Sequence, residues 1–362
     1  MAYTTIDDGS AYFQTALYTG NGNNGKVITI NSANFTDEYV GADMKPDWIW
    51  GKCLNLSQNH NIFDTSRGLD KRLTADQGDA ENTDSTTITA VATNSFTLGS
   101  SSNLNNADDS FVCWLWKANG GTTSSDSNGS ITSTVQVEST AKFSIVTYTG
   151  VGATRTVGHG LGVKPSWIVL KNRNKSAGEG WVVYHGKNTS QPETDGLHLN
   201  LNNATNDSTD FFSDQAPTTT TFGVSGDDRS GGSFNYVAYC FAEIQGYCKF
   251  GTYTGNGNAD GPFVYTGFSP AWIISKRTDA SDNWRIVDKA RNPFNDLSAN
   301  ALQSNNNNTE TDSGARDLDF LSNGFKVRTT DPDSNANGGT YIYSAFAEHP
   351  FSSSEGVSVT AK

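Results

Sequence analysis

Phe111-Val112-Cys113-Trp114-Leu115-Trp116 is apolar at every position. Tyr236-Val237-Ala238-Tyr239-Cys240-Phe241 and Tyr341-Ile342-Tyr343-Ser344-Ala345-Phe346 have nearly the same character. Short runs of aromatic and β-branched residues, bounded by Gly, Asn, Asp and Ser, read as β-strands. A run that is apolar almost throughout reads as a central strand covered on both faces.

Working outward, three further markers accompany each copy. The first is Leu17-Tyr18-Thr19-Gly20-Asn21-Gly22, then Thr147-Tyr148-Thr149-Gly150-Val151-Gly152, then Thr252-Tyr253-Thr254-Gly255-Asn256-Gly257. The second is Pro46-Asp47-Trp48-Ile49-Trp50, Pro165-Ser166-Trp167-Ile168-Val169 and Pro270-Ala271-Trp272-Ile273-Ile274. The third is Phe96-Thr97-Leu98, Phe222-Gly223-Val224 and Phe325-Lys326-Val327. Their order is constant, and the Pro stands 65, 71 and 71 residues before the apolar run. A Pro just ahead of each Trp suits a strand's first position, where a missing N–H matters least. No window shows helical periodicity. A strand every 8–12 residues, repeated over about 100 residues, indicates an all-β chain of three tandem β-sandwich or jelly-roll repeats with little or no helix.

The expected organisation is an N-terminal arm at 1–15, a first repeat at 16–118, a Gly/Ser/Thr linker at 119–140, a second repeat at 141–245, a third at 246–350 and a polar tail at 351–362. With almost no spacer between them, repeats two and three should be held rigidly and repeat one more loosely. The arm is the expected docking element.

Composition agrees with a turn-rich β protein. Hydrophobic residues are 35% of the 362, below the roughly 45–50% of average chains on a count that includes Gly. Aromatics at 11% and charged residues at only 17% exclude a disordered profile. The net charge of −13, with no Lys/Arg run, sets aside nucleic acid and anionic membrane surfaces as partners. The start, Met1-Ala2-Tyr3-Thr4-Thr5-Ile6-Asp7-Asp8, has neither a cationic nor an apolar signal region, so no secretory signal is expected. No run is long and apolar enough to span a membrane as a helix.

Candidate sites are few. Gly20-Asn21-Gly22-Asn23-Asn24-Gly25 has the G-x-G-x-x-G spacing of a dinucleotide loop. A strand pattern follows it where that site needs a helix, so it reads as a hairpin turn. Asp333-Ser334-Asn335-Ala336-Asn337-Gly338 matches half of an EF-hand loop, but position twelve is Ser344. It reads as a hairpin loop and leaves room for a weak Ca²⁺ site. His159 and His185 do not recur in the other copies and read as structural. Asp317 and Asp319 could share a strand face, yet no acidic motif surrounds them as a glycosidase pair would require. Asp64-Thr65-Ser66-Arg67 and Asp288-Lys289-Ala290-Arg291 occupy matching places and read as structural ion pairs, with Tyr184-His185-Gly186-Lys187 standing there in the second copy. Cys53, Cys113, Cys240 and Cys248 lack zinc or redox spacing and read as buried thiols. Trp48, Trp50, Trp114, Trp116, Trp167 and Trp272 read as core, and so do Trp181 and Trp284. No catalytic, cofactor or metal residue is assigned.

These motifs resemble those of virion structural proteins from tailed phages of marine bacteria and cyanobacteria, described as tail-fibre or tail proteins. The resemblance rests on Tyr3-Thr4-Thr5-Ile6-Asp7-Asp8, Ala11-Tyr12-Phe13-Gln14-Thr15, the Tyr-Thr-Gly-Asn-Gly and Pro-x-Trp markers, Val157-Gly158-His159-Gly160-Leu161-Gly162-Val163-Lys164-Pro165 and Tyr236–Glu243. It covers nearly the whole chain. It implies concanavalin- or laminin-G-like sandwiches and a non-enzymatic, homo-oligomeric protein of the virion surface, made in the host cytoplasm. Its expected partners are other virion proteins and a host surface glycan. Host attachment through the tail is the first expectation. Capsid decoration, a carbohydrate-binding adhesin and a polysaccharide-degrading enzyme are the alternatives. No coiled coil or β-helix shaft is evident.

Overall fold

Alternation along the apolar strands decides the architecture. In the computed structural model, which describes residues 4–30, 43–176, 180–295, 300–312, 318–350 and 352, strand Ser110–Trp116 turns Val112, Trp114 and Trp116 to one side. Phe111, Cys113 and Leu115 turn to the other. Both sides are buried. Asn235–Phe241 divides in the same way, with Val237, Tyr239 and Phe241 against Tyr236, Ala238 and Cys240. A strand with two apolar faces needs two partners.

The outer partner is local. In the first segment the large sheet runs, in spatial order, Phe13–Thr19, Ser110–Trp116, Trp48–Cys53, Asn61–Asp64, Gly68–Thr74 and Asn82–Thr83. A small sheet of Lys26–Thr29, Ser95–Leu98 and Ile88–Ala92 covers its outer face. The second segment repeats the core of this order with Phe143–Thr149, Asn235–Phe241, Trp167–Asn172 and Val182–His185, under the pair Arg155–Gly158 and Thr221–Val224. The third has Cys248–Thr254, Thr340–Pro350, Phe268–Arg277 and Arg285–Asp288, with Phe263–Tyr265, Gly324–Val327 and Leu318–Leu321 outside. The paired strands are antiparallel throughout. Among the described residues only three α-helices occur, of four residues each. The fold is all-β, as expected.

The markers explain themselves in these outer cores. Tyr18, Tyr148 and Tyr253 stack on Phe111, Tyr236 and Tyr341 at 5.4, 5.0 and 4.8 Å. Each also meets the third-marker Phe edge to face. Their hydroxyls donate to the carbonyls of Leu104, Ser230 and Ser334. A Cβ on the Gly two residues later would lie 2.0–2.3 Å from a backbone oxygen in all three copies, so only Gly fits.

The inner partner is shared, and here expectation fails. Trp116, Phe241 and Phe346, at matching places in the three segments, meet mutually edge to face at 5.4–6.3 Å. Trp48, Trp167 and Trp272 surround them within one continuous cluster drawn from the whole chain. The first segment is therefore not loosely attached, because Trp48 stacks on Tyr239 at 4.5 Å and Trp116 meets Trp272 at 5.4 Å.

Three local expectations also change. The stretch 119–140 is not a free linker: Ser124–Asp126 and Ser133–Glu138 extend the second segment's sheet, and Ile131 bridges to Val157. Polar Ser/Thr/Gly composition concealed these strands. The arm is built into the fold, with Ile6 and Phe13 in the central cluster and Asp8 capping the turn Gly9–Ala11. The Gly20–Gly25 turn joins no hairpin, because Phe13–Thr19 pairs with Ser110–Trp116 while Lys26–Thr29 pairs with Ser95–Leu98. It carries the chain from one sheet to the other. Of the tail, all but residue 352 lies outside the described residues. Pro46 and Pro165 precede their strands, whereas Pro270 sits inside Phe268–Arg277 at a register shift, where its missing N–H is tolerated.

Candidate functional site

The chemistry-bearing residues gather at the three seams between segments. The Pro-Trp strands form hairpins that place Asp64, His185 and Asp288 opposite Trp48, Trp167 and Trp272. Asp64 accepts from the Arg67 backbone N–H at 2.8 Å and from Arg67 Nε at 2.5 Å. The Tyr239 hydroxyl, from the second segment, donates to it at 2.7 Å. Asp288 accepts from Arg291 in the same two ways. Its donor from across the seam is Trp114 Nε1 at 3.0 Å. His185 Nδ1 accepts the Lys187 backbone N–H, so Nε2 carries the proton and donates to the Tyr343 carbonyl at 3.0 Å. The seams thus close a cycle: the hairpin end of the first segment meets the second, that of the second meets the third, and that of the third meets the first.

Other bonds keep the same cycle. The backbone N–H groups of Glu81, Thr205 and Glu310 donate to the carbonyls of Arg173, Thr278 and Leu54 at 2.8–2.9 Å. Trp181 Nε1 donates to Thr74 O, and Trp284 Nε1 to His198 O. Arg67 and Arg291 each reach a second carboxylate, Glu81 at 2.8 Å and Glu310 at 2.7 Å. Glu81 also pairs with Arg173 across the seam. Burial would raise the Glu81 carboxyl, but the bonds from Arg173 and Arg67 outweigh it and hold the carboxyl below its ordinary value.

Each Pro-Trp strand also carries a buried lysine four residues after its Trp: Lys52, Lys171 and Lys276. Lys52 Nζ donates to Cys53 O at 2.6 Å, Lys171 Nζ to Gly78 O across a seam at 3.0 Å, and Lys276 Nζ to the Arg277 carbonyl. Burial lowers Lys52 and Lys276 to about 8. The lysines recur in sequence at constant spacing, a signal that the strand reading did not include. Trp114 reads as core and Tyr239 as part of a central strand, but their bonds across the seams are not foreseen, because the partners are more than a hundred residues away. Glu81 and Glu310, in loops, are not singled out at all.

The remaining candidates are committed to structure. The two Asp–Arg pairs form as expected, at the ends of strands Asn61–Asp64 and Arg285–Asp288, and are buried there. His159 accepts the Leu161 N–H at Nδ1 and faces Thr218 O with Nε2. Asp333 accepts from Asn283 N and Gln303 Nε2. Asn335 donates to the Thr329 and Asn258 carbonyls while its Oδ1 accepts Asn256 N–H, which pins the Thr252–Gly257 turn. This half-motif forms a four-residue helix, Pro332–Asn335, rather than a hairpin loop. Asp319 pairs with Arg328 at 2.5 Å, and Asp317 lies outside the described residues. All four cysteines are free and buried, with burial pushing the Cys113 thiol up to about 12. All eight tryptophans are under 2% exposed.

The family described as a domain of unknown function (DUF7483) matches residues 8–350. The chain belongs to that family. No curated protein and no solved structure matches it.

Proposed function

We propose that this chain is a non-enzymatic structural protein of a phage particle, displayed on the virion surface and serving attachment to the host. In this reading it consists of three tandem β-sandwich repeats closed around a shared core, is made in the host cytoplasm, and meets copies of itself and other virion proteins. The observation that carries the reading is the cyclic set of seams. Asp64, His185 and Asp288 each bond across a seam, so these buried polar residues hold a rigid body together. A rigid body of this kind presents polar loops that can vary without loss of the scaffold. The motif resemblance to tail proteins of marine phages supplies the setting.

The test is mass spectrometry of purified particles, with antibody-labelled electron microscopy to place the protein. Presence at the tail is the expected result. Labelling over the head would move the assignment to capsid decoration. Absence from particles would sink the proposal.

A further inference from the structure

The three small outer sheets occupy corresponding places but carry different surfaces. On the first, the edge strand shows Val27 and Thr29 outward; on the second, Thr156 is paired with Gly223. On the third, Phe263 and Tyr265 point outward on either side of buried Val264, at 47% and 49% exposure. Phe294, at 87%, is the only other aromatic ring so exposed among the described residues. Its loop lies along the far edge of this same sheet, where Asn295 exchanges two hydrogen bonds with the Phe320 backbone. Among the described residues the exposed rings are thus gathered on and beside one of three comparable sheets.

Charge accompanies them. Register places Phe263 beside Lys326, and Lys326 beside Asp319, in one row across the sheet. Lys326 Nζ pairs with Asp260 at 2.7 Å, and Arg328 bridges Asp260 and Asp319 at 3.3 and 2.5 Å. Lys249 sits 5.3 Å from the Tyr265 ring centroid and donates to the Tyr265 carbonyl, which steadies that ring. In the next row Gly324 lies beside Tyr265. A Cβ there would come within 3.1 Å of Phe263 Cε2, so the ring leans over a position kept free of side chain. Among the described residues the face holds three cations, Lys249, Lys326 and Arg328, against two anions, Asp260 and Asp319, on a chain whose net charge is −13.

We propose that this face of the third segment binds an acidic polysaccharide, one built of uronic-acid sugars. The proposal rests on the attachment reading and names what is attached to. A sugar ring has a C–H-rich face that suits the electron-rich face of an aromatic ring. Its edge carries hydroxyls and a carboxylate that suit Lys326 and Arg328. Two rings two residues apart on a strand stand about 6.6 Å from one another, a spacing fixed by the pleat. A strand-pairing partner fits less well, because the edge strand is three residues long and follows Pro262. The local excess of positive charge selects an acidic ligand over a neutral one.

The experiment is affinity electrophoresis of the full chain in gels containing polygalacturonate, alginate or dextran. Retardation by at least one uronate polymer but not by dextran is expected, weakening as salt is raised. The double substitution Phe263→Ala/Tyr265→Ala should weaken it roughly tenfold or more with an unchanged melting temperature, because both rings are half exposed. Lys326→Gln, which leaves the rings in place, should weaken uronate binding as an independent check. No retardation by either uronate polymer, equal retardation by dextran, or full binding by both variants would overturn the proposal. Particle composition is read separately, so a chain absent from virions that still binds uronate defeats only the attachment reading, and one present that does not bind defeats only this site.

Discussion

Asp64 receives three hydrogen bonds, two from Arg67 and one from Tyr239 across a seam, with its side chain fully buried. Removing Asp64 leaves the buried Arg67 guanidinium with Glu81 as its one remaining carboxylate and its Nε without an acceptor. Asp64→Ala should therefore destabilise the chain by about 3–5 kcal/mol. Tyr239→Phe keeps the ring on Trp48 and removes only the hydroxyl, so about 1.5–3 kcal/mol is expected. Urea unfolding of the two variants checks both, and a loss below about 0.5 kcal/mol for Asp64→Ala would contradict the seam. The histidines give a second prediction. Burial lowers His60, His159 and His198 below the ordinary 6.5, and brings His185 down to about 4. Below pH 6.5 the unfolded chain then binds more protons than the folded one. Their stabilising contribution is complete above pH 6.5 and is lost as pH falls toward 4. Asp47 and Asp76, raised by burial, act in the opposite sense at the lower end of that range. The unfolding midpoint should consequently be lower at pH 5.5 than at pH 7, and an equal or higher midpoint would refute the assignment.

At the scale of elements, the Tyr-Thr-Gly turn ties the outer core together. Gly20→Ala would drive a Cβ against Asn106 O, whereas Gly162→Ala meets nothing within 4 Å and strains only a positive φ of +71°. Gly20→Ala should cost more, by at least about 1 kcal/mol, because backbone cannot yield as a flexible side chain can. Comparison of the two unfolding midpoints decides it. The strands that carry these turns were legible because aromatic and β-branched residues recur in fixed order, and the burial of the eight tryptophans followed from that placement. Ser124–Asp126 was not legible, since an edge strand of Ser and Asp carries the composition of a linker, and Ser133–Glu138, whose Val135 and Val137 do alternate, was hidden by the Ser/Thr/Gly-rich run ahead of it. Phe263 and Tyr265 escaped notice for a related reason. A three-residue strand shows no periodicity, and nothing in its letters says which face meets solvent.

The whole molecule was the least legible level. Alternation tells that Trp114 and Trp116 leave the outer core, but not that their neighbours are Trp272 and Phe346, more than 150 residues away. Three cores in series and one shared core produce the same repeat spacing. The difference has consequences. A protease cut in the exposed run 121–125 should leave the two fragments associated in gel filtration, because Trp48, Tyr239 and the Glu81–Arg173 pair still hold the seam. Separation of the fragments under native conditions would mean that the seam is weak. The most direct measurement is scanning calorimetry of the intact chain. One continuous hydrophobic cluster, closed by bonds at every seam, predicts a single transition whose calorimetric and van't Hoff enthalpies agree. Two or three resolved transitions, or a calorimetric enthalpy two to three times the van't Hoff value, would contradict the shared core.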